Sequence, residues 1–317
     1  MSTPKKPATT NDKPRLLFTG LSMGLADLIP GVSSGTIAFL YGIYDELLFS
    51  IKQATGAFPR LIFKGQFKQA LAVIPFGFLI PVIGGMLIAI FSLSHLVTYL
   101  LENHATYVWS FFFGLVLGSV FLISKRVTHW NINRVLMLLL GAFITYYIVG
   151  LAGVSFEPTP LAIFLTGMIA FCAMILPGIS GSLIMVILGQ YKHVIEAIND
   201  LNFTILASLA AGGAVGLALF SRLLSWLLRD YHGAVIAFLI GMMIGSLRKV
   251  WPWQEGVDTS AVTNVLPSFG LELLASISLM LLAIFIVWRL EKLGIASEHD
   301  DIHTKDFEHE LAEQKNQ

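Results

Sequence analysis

The sequence predicts an all-α integral membrane protein of two inverted-topology repeats, each a broken re-entrant helical hairpin followed by about three transmembrane helices. Three observations carry this. Hydrophobic residues make up 56% of the chain and charged residues 13%, with a mean hydropathy of +0.76, whereas a soluble domain carries about 25% charged residues. The second half of the chain repeats the first. The leading hydrophobic segment of each half is interrupted by Pro-Gly near its centre.

Composition also excludes function classes. The formal net charge is zero and no long basic run could track a phosphate backbone, so nucleic acid is not an expected partner. Cys172 stands alone, which rules out an intrachain disulfide and a cysteine-rich metal site. No Gly-rich nucleotide loop or zinc motif is present, and neither a metal nor a cofactor is expected.

Lys5, Lys6, Lys13 and Arg15 precede an apolar run from Leu16 to Ile29 that superficially resembles a signal peptide. Asp27 interrupts the run, Pro30-Gly31 ends it, and no small-x-small cleavage site follows, so the segment is expected to be retained. Eight hydrophobic segments follow one another at about 16–43, 69–91, 105–124, 132–154, 160–189, 203–228, 233–247 and 269–290. Most approach the roughly 20 apolar residues that a spanning helix needs.

Residues 20–51 recur as residues 167–198 at a constant offset of 147. Gly20 meets Gly167, Ala26 meets Ala173, Pro30-Gly31 meets Pro177-Gly178, Ser33 meets Ser180, Gly42 meets Gly189 and Tyr44 meets Tyr191. Downstream, Gly114, Gly118 and Ser119 recur as Gly241, Gly245 and Ser246. The chain therefore divides into a cytoplasmic N-terminal tail (1–15), a first repeat (16–154), a second repeat (155–293) and an acidic cytoplasmic tail (294–317).

Proline removes a helical donor and steers the residue before it out of the helical region, so each Pro-Gly splits its segment into two half-helices. Such a segment either crosses the bilayer or turns back. Loop charges favour turning back. The tail, the 44–68 loop (Lys52, Arg60, Lys64, Lys68), the 125–134 loop, Arg229 and Arg289-Lys292 then share one side. Lys192, Arg248 and Lys249 remain opposite, and the 92–104 and 150–160 loops carry no Lys or Arg. By the positive-inside rule both termini are cytoplasmic. The expectation is six spans, two re-entrant hairpins and a second repeat inverted relative to the first.

Irregular backbone at membrane depth must be buried in protein or line a wet cavity, and paired breaks near the midplane are how many secondary transporters build a substrate site. Gly31, Ser33, Ser34, Gly35 and Thr36 after the first break, and Gly178, Ser180, Gly181 and Ser182 after the second, combine hydroxyls with small residues. At the start of an outgoing half-helix, free N–H groups and hydroxyls suit an anionic group such as phosphate. The same residue types also serve helix packing and capping.

Arg222, inside the sixth segment, is the candidate for direct phosphate pairing through its planar fork of donors, or else it snorkels to the headgroups. Asp27 is three residues before Pro30 and its counterpart is Met174. It either couples transport to a proton or sodium gradient or braces the hairpin. Glu46, after Tyr44-Asp45, would pair with a basic residue or be solvated at the interface. His104, His193 and His232 lack metal-ligand spacing, and no Ser has a consistent His and acid partner set, so no catalytic residue is assigned.

These motifs carry a resemblance. From about Gly20 to Leu290 the sequence resembles the PopT family of bacterial polytopic membrane proteins, assigned to undecaprenyl-phosphate transport. The likeness is strongest at Gly24-x-x-Asp27-x-x-Pro30-Gly31-Val32-Ser33, Gly42-Ile43-Tyr44, Leu176 to Gly181 and Gly189-x-Tyr191. Ser34 stands where the family more often has a second glycine. The resemblance implies return of undecaprenyl phosphate from the outer to the inner leaflet of the bacterial cytoplasmic membrane, for reuse in envelope polymer synthesis. A transporter of a small soluble anion is the alternative, and an intramembrane lipid phosphatase or transferase lacks a nucleophile or metal constellation. Gly114/Gly118 and Gly241/Gly245 suit close packing within one chain or between chains of a homo-oligomer.

Overall fold

A computed structural model of the chain describes residues 13–28, 32–125, 127, 129–151, 157–255 and 263–292. Gly31, the N-terminal tail up to residue 12 and the acidic tail lie outside the described residues. The described residues are almost wholly helical, as an α-helical membrane protein requires. A first short series comprises α1 (Lys13–Asp27), α2 (Ser34–Leu40), α3 (Tyr44–Lys52), α4 (Phe58–Phe63) and α5 (Phe67–Val73). Long helices α6 (Phe76–Asn103), α7 (Ala105–Ser124) and α8 (Ile132–Ile148) follow. The order then recurs as α9 (Pro160–Ile175), α10 (Gly181–Ile187), α11 (Tyr191–Asn199), α12 (Phe203–Asp230), α13 (His232–Ser246) and α14 (Leu271–Lys292). A small antiparallel pair, β1 (Gln254–Glu255) with β2 (Thr263–Asn264), lies before α14.

Local chemistry sets these boundaries. The side chains of Asn131, Thr159 and Asn202 accept from the N–H groups of Arg134, Ala162 and Ile205, capping α8, α9 and α12. Pro160 occupies the first turn of α9, where its missing N–H costs nothing. Gly42 and Gly189, with φ of 72° and 69°, make the matched turns that end α2 and α10.

Two expectations change in detail. Residues 44–68 are not an open loop: they form α3, a π-helical turn at Gln53–Ala57 and α4. The segment at 69–91 becomes a 28-residue helix reaching Asn103, because 92–103 contains neither glycine nor proline and its Ser92 hydroxyl bonds back to the Ile88 carbonyl. Four described helices, α6, α7, α12 and α14, are long and apolar enough to cross a membrane. Against the six expected spans, α8 and α13 have 17 and 15 residues, about 25 and 22 Å at 1.5 Å per residue.

The helices pack in matched pairs: α1 on α6, α9 on α12, α7 on α14 and α8 on α13. Glycine lets the backbones touch. Gly20 lies against Val82 and Gly24 against Met86, while Gly167 lies against Leu209 and Gly216 against Met168. Gly114 meets Met280 and Gly118 meets Ile284, while Gly241 meets Leu138 and Gly245 meets Ala142. In every pair the contacts advance together along both helices, so the partners run parallel. The α7/α14 and α8/α13 pairs join helices on either side of the expected 154/155 boundary, and the glycines of both G-x-x-x-G motifs touch helices of the same chain.

Candidate functional site

The two breaks meet. Beyond α1 the chain is extended at Ser33 (φ −111°, ψ 126°) and beyond α9 at Ser180 (φ −97°, ψ 138°). The Ser33 hydroxyl donates to the Leu176 carbonyl at 3.2 Å, and the Gly178 N–H donates to Thr36 Oγ1 at 3.0 Å. Both bonds join the first break to the second, about 140 residues away in sequence. Gly178 has φ +92°, and a Cβ there would stand 2.8 Å from the Met242 carbonyl oxygen, so only glycine fits between the break and α13. A Cβ on Gly35 would stand 2.9 Å from the Ile175 carbonyl oxygen, so α2 begins directly on the end of α9.

The predicted residues therefore separate into two groups. Ser33, Ser34, Gly35, Thr36, Gly178 and Gly181 are buried in this junction. Ser180 and Ser182 are half-buried at the start of α10, their hydroxyls 2.7 Å apart. A pair of hydroxyls can keep one O–H for the other and turn the second towards a ligand oxygen.

Asp27 is exposed and its Oδ1 accepts from the Ser34 N–H at 3.3 Å. The carboxylate thus caps α2 from across the break, using a donor that an external anion would otherwise take. At the equivalent place in the second half Met174 has no such group, and the start of α10 keeps only its own hydroxyls.

Arg222 is not joined to the hairpins by any hydrogen bond among the described residues. It is exposed on α12, with Nη2 3.2 Å from where a Cβ of Gly56 would stand. Glu46 is 2% exposed on α3, so solvation at the interface does not describe it. Both residues belong to the packing of α12 on α3 and the π-turn. Met242 and Met243, which cover Gly178 from α13, were missed by sequence reasoning, because a methionine in an apolar helix carries no positional signal.

Residues 23–265 match the family model VCA0040-like, undecaprenyl phosphate translocase-like. A Vibrio cholerae protein named polyprenyl-phosphate transporter is 40% identical over 295 residues, covering 86% of this chain and 94% of that protein. A Staphylococcus aureus protein of the same name is 36% identical over 264 residues, covering 78% of this chain and 88% of that protein. No solved structure matches the chain. The resemblance carried by the Pro-Gly motifs is thereby borne out: the chain belongs to the undecaprenyl phosphate translocase-like family.

Proposed function

We propose that the protein is a polyprenyl-phosphate transporter returning undecaprenyl phosphate from the outer to the inner leaflet of the bacterial cytoplasmic membrane. The two relatives' names support the substrate class. The mechanism is alternating access around a midplane phosphate site between inverted repeats, and no catalytic step is part of it. One observation carries this architecture: α1 runs parallel to α6, and α9 parallel to α12. Had the chain crossed the bilayer through α1 and α2, it would begin α6 on the far side and α6 would run antiparallel to α1. A parallel run instead calls for a return between residues 28 and 76, which is a re-entrant hairpin. Three crossings per repeat then invert the second.

Long-range contacts support the same sidedness. Arg222 lies beside Gly56 and Arg134 beside Gly233, each joining segments that this topology puts on the cytoplasmic side with both termini. Arg248 lies on Tyr146, joining segments assigned to the opposite side.

On this reading Ser180 and Ser182 present hydroxyls to the phosphate, and Ser33, Ser34, Gly35, Thr36 and Gly178 brace the junction that positions them. Arg222 pairs with the headgroup on its way to the cytoplasmic side. Asp27 couples exchange to a proton or sodium gradient by binding or releasing its cation beside the Ser34 N–H.

Leaflet exchange of undecaprenyl phosphate in proteoliposomes, read with an impermeant phosphate-binding reagent, tests the proposal. Wild-type protein should exchange the lipid, and the double variant Ser180→Ala/Ser182→Ala or Arg222→Ala should slow it by roughly tenfold, the loss of one or two hydrogen bonds to a charged group. No protein-dependent exchange, under imposed proton and sodium gradients as well, would overturn the reading in favour of a soluble anion.

A further inference from the structure

The matched helix pairs differ at one end, and the difference leaves a cleft. Gly114 and Gly118 hold α7 against α14, as Gly241 and Gly245 hold α13 against α8. Beyond these glycines the two pairs differ. After α13 the chain folds a side chain of its own back onto α8. Arg248 lies with its guanidinium 4.4 Å from the Tyr146 ring centroid and donates from Nη1 to the Tyr146 carbonyl at 2.9 Å. A Cβ on neighbouring Gly150 would collide with that guanidinium.

In the α7/α14 pair the equivalent residues are Phe121, 127 positions before Arg248 as Gly114 is before Gly241, and Trp288, 142 after Tyr146 as Met280 is after Leu138. Here the space is open, a cavity of about 790 Å³ lined by Leu117, Phe121, Leu281, Phe285 and Trp288. Its walls are almost wholly apolar and its lining side chains Phe121, Leu281 and Phe285 are exposed, so the cleft opens sideways. Lys125 stands at its end, with Nζ 5.1 Å from the Phe121 ring centroid.

We propose that this cleft is the seat of the isoprenoid chain of a polyprenyl phosphate, with the Lys125 ammonium on the phosphate. The proposal rests on the function proposed above and adds a second lipid station to it, at the cytoplasmic end of α7. One apolar channel ending in one lysine matches a lipid with one chain under one phosphate. A two-chain phospholipid would leave one chain outside the cleft. The two ends are not equivalent: at the opposite face the protein's own Arg248 lies over Tyr146, so a chain can rest beside α7 and not beside α13.

Photoaffinity labelling of the full-length protein in proteoliposomes tests this. The probe is a polyprenyl phosphate bearing a diazirine on its chain, compared with phosphatidylglycerol bearing a diazirine on one acyl chain. The polyprenyl probe should label the peptides spanning 117–125 and 281–288. Lys125→Gln should cut that labelling about tenfold, as loss of a charge-assisted bond implies. Lys125→Arg should restore it, which separates charge from misfolding. Leu281→Trp, which fills the cleft, should abolish it while Lys125 remains. Labelling confined to other helices, or equal capture of phosphatidylglycerol at these peptides, overturns the proposal. If leaflet exchange persists when the cleft is unlabelled, the cleft assignment fails and the transporter reading stands. If exchange is absent and both probes label the cleft equally, both fail.

Discussion

Thr36 and Gly178 are 142 residues apart and share a buried hydrogen bond of 3.0 Å. Thr36→Val keeps the shape and leaves the Gly178 N–H without its acceptor, which should lower stability by about 1–3 kcal/mol. Thermal unfolding in detergent measures this. Ser180→Ala, at a half-buried position, should stay within about 1 kcal/mol of wild type in the same assay. A larger loss would make Ser180 a brace as well. Asp27→Asn preserves a capping oxygen for Ser34 and removes the charge, so stability should hold while exchange loses its response to imposed proton or sodium gradients. An unchanged gradient response would leave Asp27 a cap only. The residue types were legible in the sequence, since Pro-Gly-x-Ser recurs at matched spacing. Which serines are buried was not legible, because Ser33 finds its acceptor on Leu176 in the other half of the chain.

Between helices, glycine decides how closely backbones approach. A Cβ on Gly241 would collide with the Leu138 carbonyl oxygen, so Gly241→Ala should force α13 from α8 and destabilise by about 1–3 kcal/mol, the usual cost of overpacking. Gly77 and Gly84 on α6 have nothing within 4 Å of a Cβ, so alanine there should be neutral or stabilising by up to about 1 kcal/mol. Detergent unfolding of the three variants side by side checks the contrast. The G-x-x-x-G spacing announced close packing, but not with whom. The partner of α7 is α14, more than 140 residues further on, and no local pattern encodes that distance. Helix ends are less legible than helix cores: polar residues within 92–103 interrupt the apolar run, yet nothing there breaks a helix and α6 continues to Asn103.

Over the whole molecule, the sequence repeats and the packing units do not coincide. Because α7 pairs with α14 and α8 with α13, each half leaves two apolar helices without their partners. Residues 1–154 and 155–317 expressed separately should each be degraded or aggregate. Co-expressed, they should assemble and recover lipid exchange. Stable folding of either half alone would contradict this pairing. Reporter tags at the two termini should both read as cytoplasmic, and a split result would rule out the re-entrant topology.

By itself the sequence determined the membrane class, the duplication, the two breaks and the residue chemistry gathered at them. Each is written in composition, period or a motif a few residues long, and proline, glycine and hydroxyl side chains act on their own neighbourhood. Only the tertiary structure decided that Asp27 occupies the first helix start, that Ser33 and Thr36 tie the breaks together, that Arg222 lies beside Gly56, and that one interhelical cleft is open while Arg248 lies over Tyr146 at its counterpart. The Asp27 cap depends on how the chain folds back across the break, and the other outcomes depend on which surfaces meet across more than a hundred residues of chain. Small residues permit such a meeting, and only the packed structure selects it.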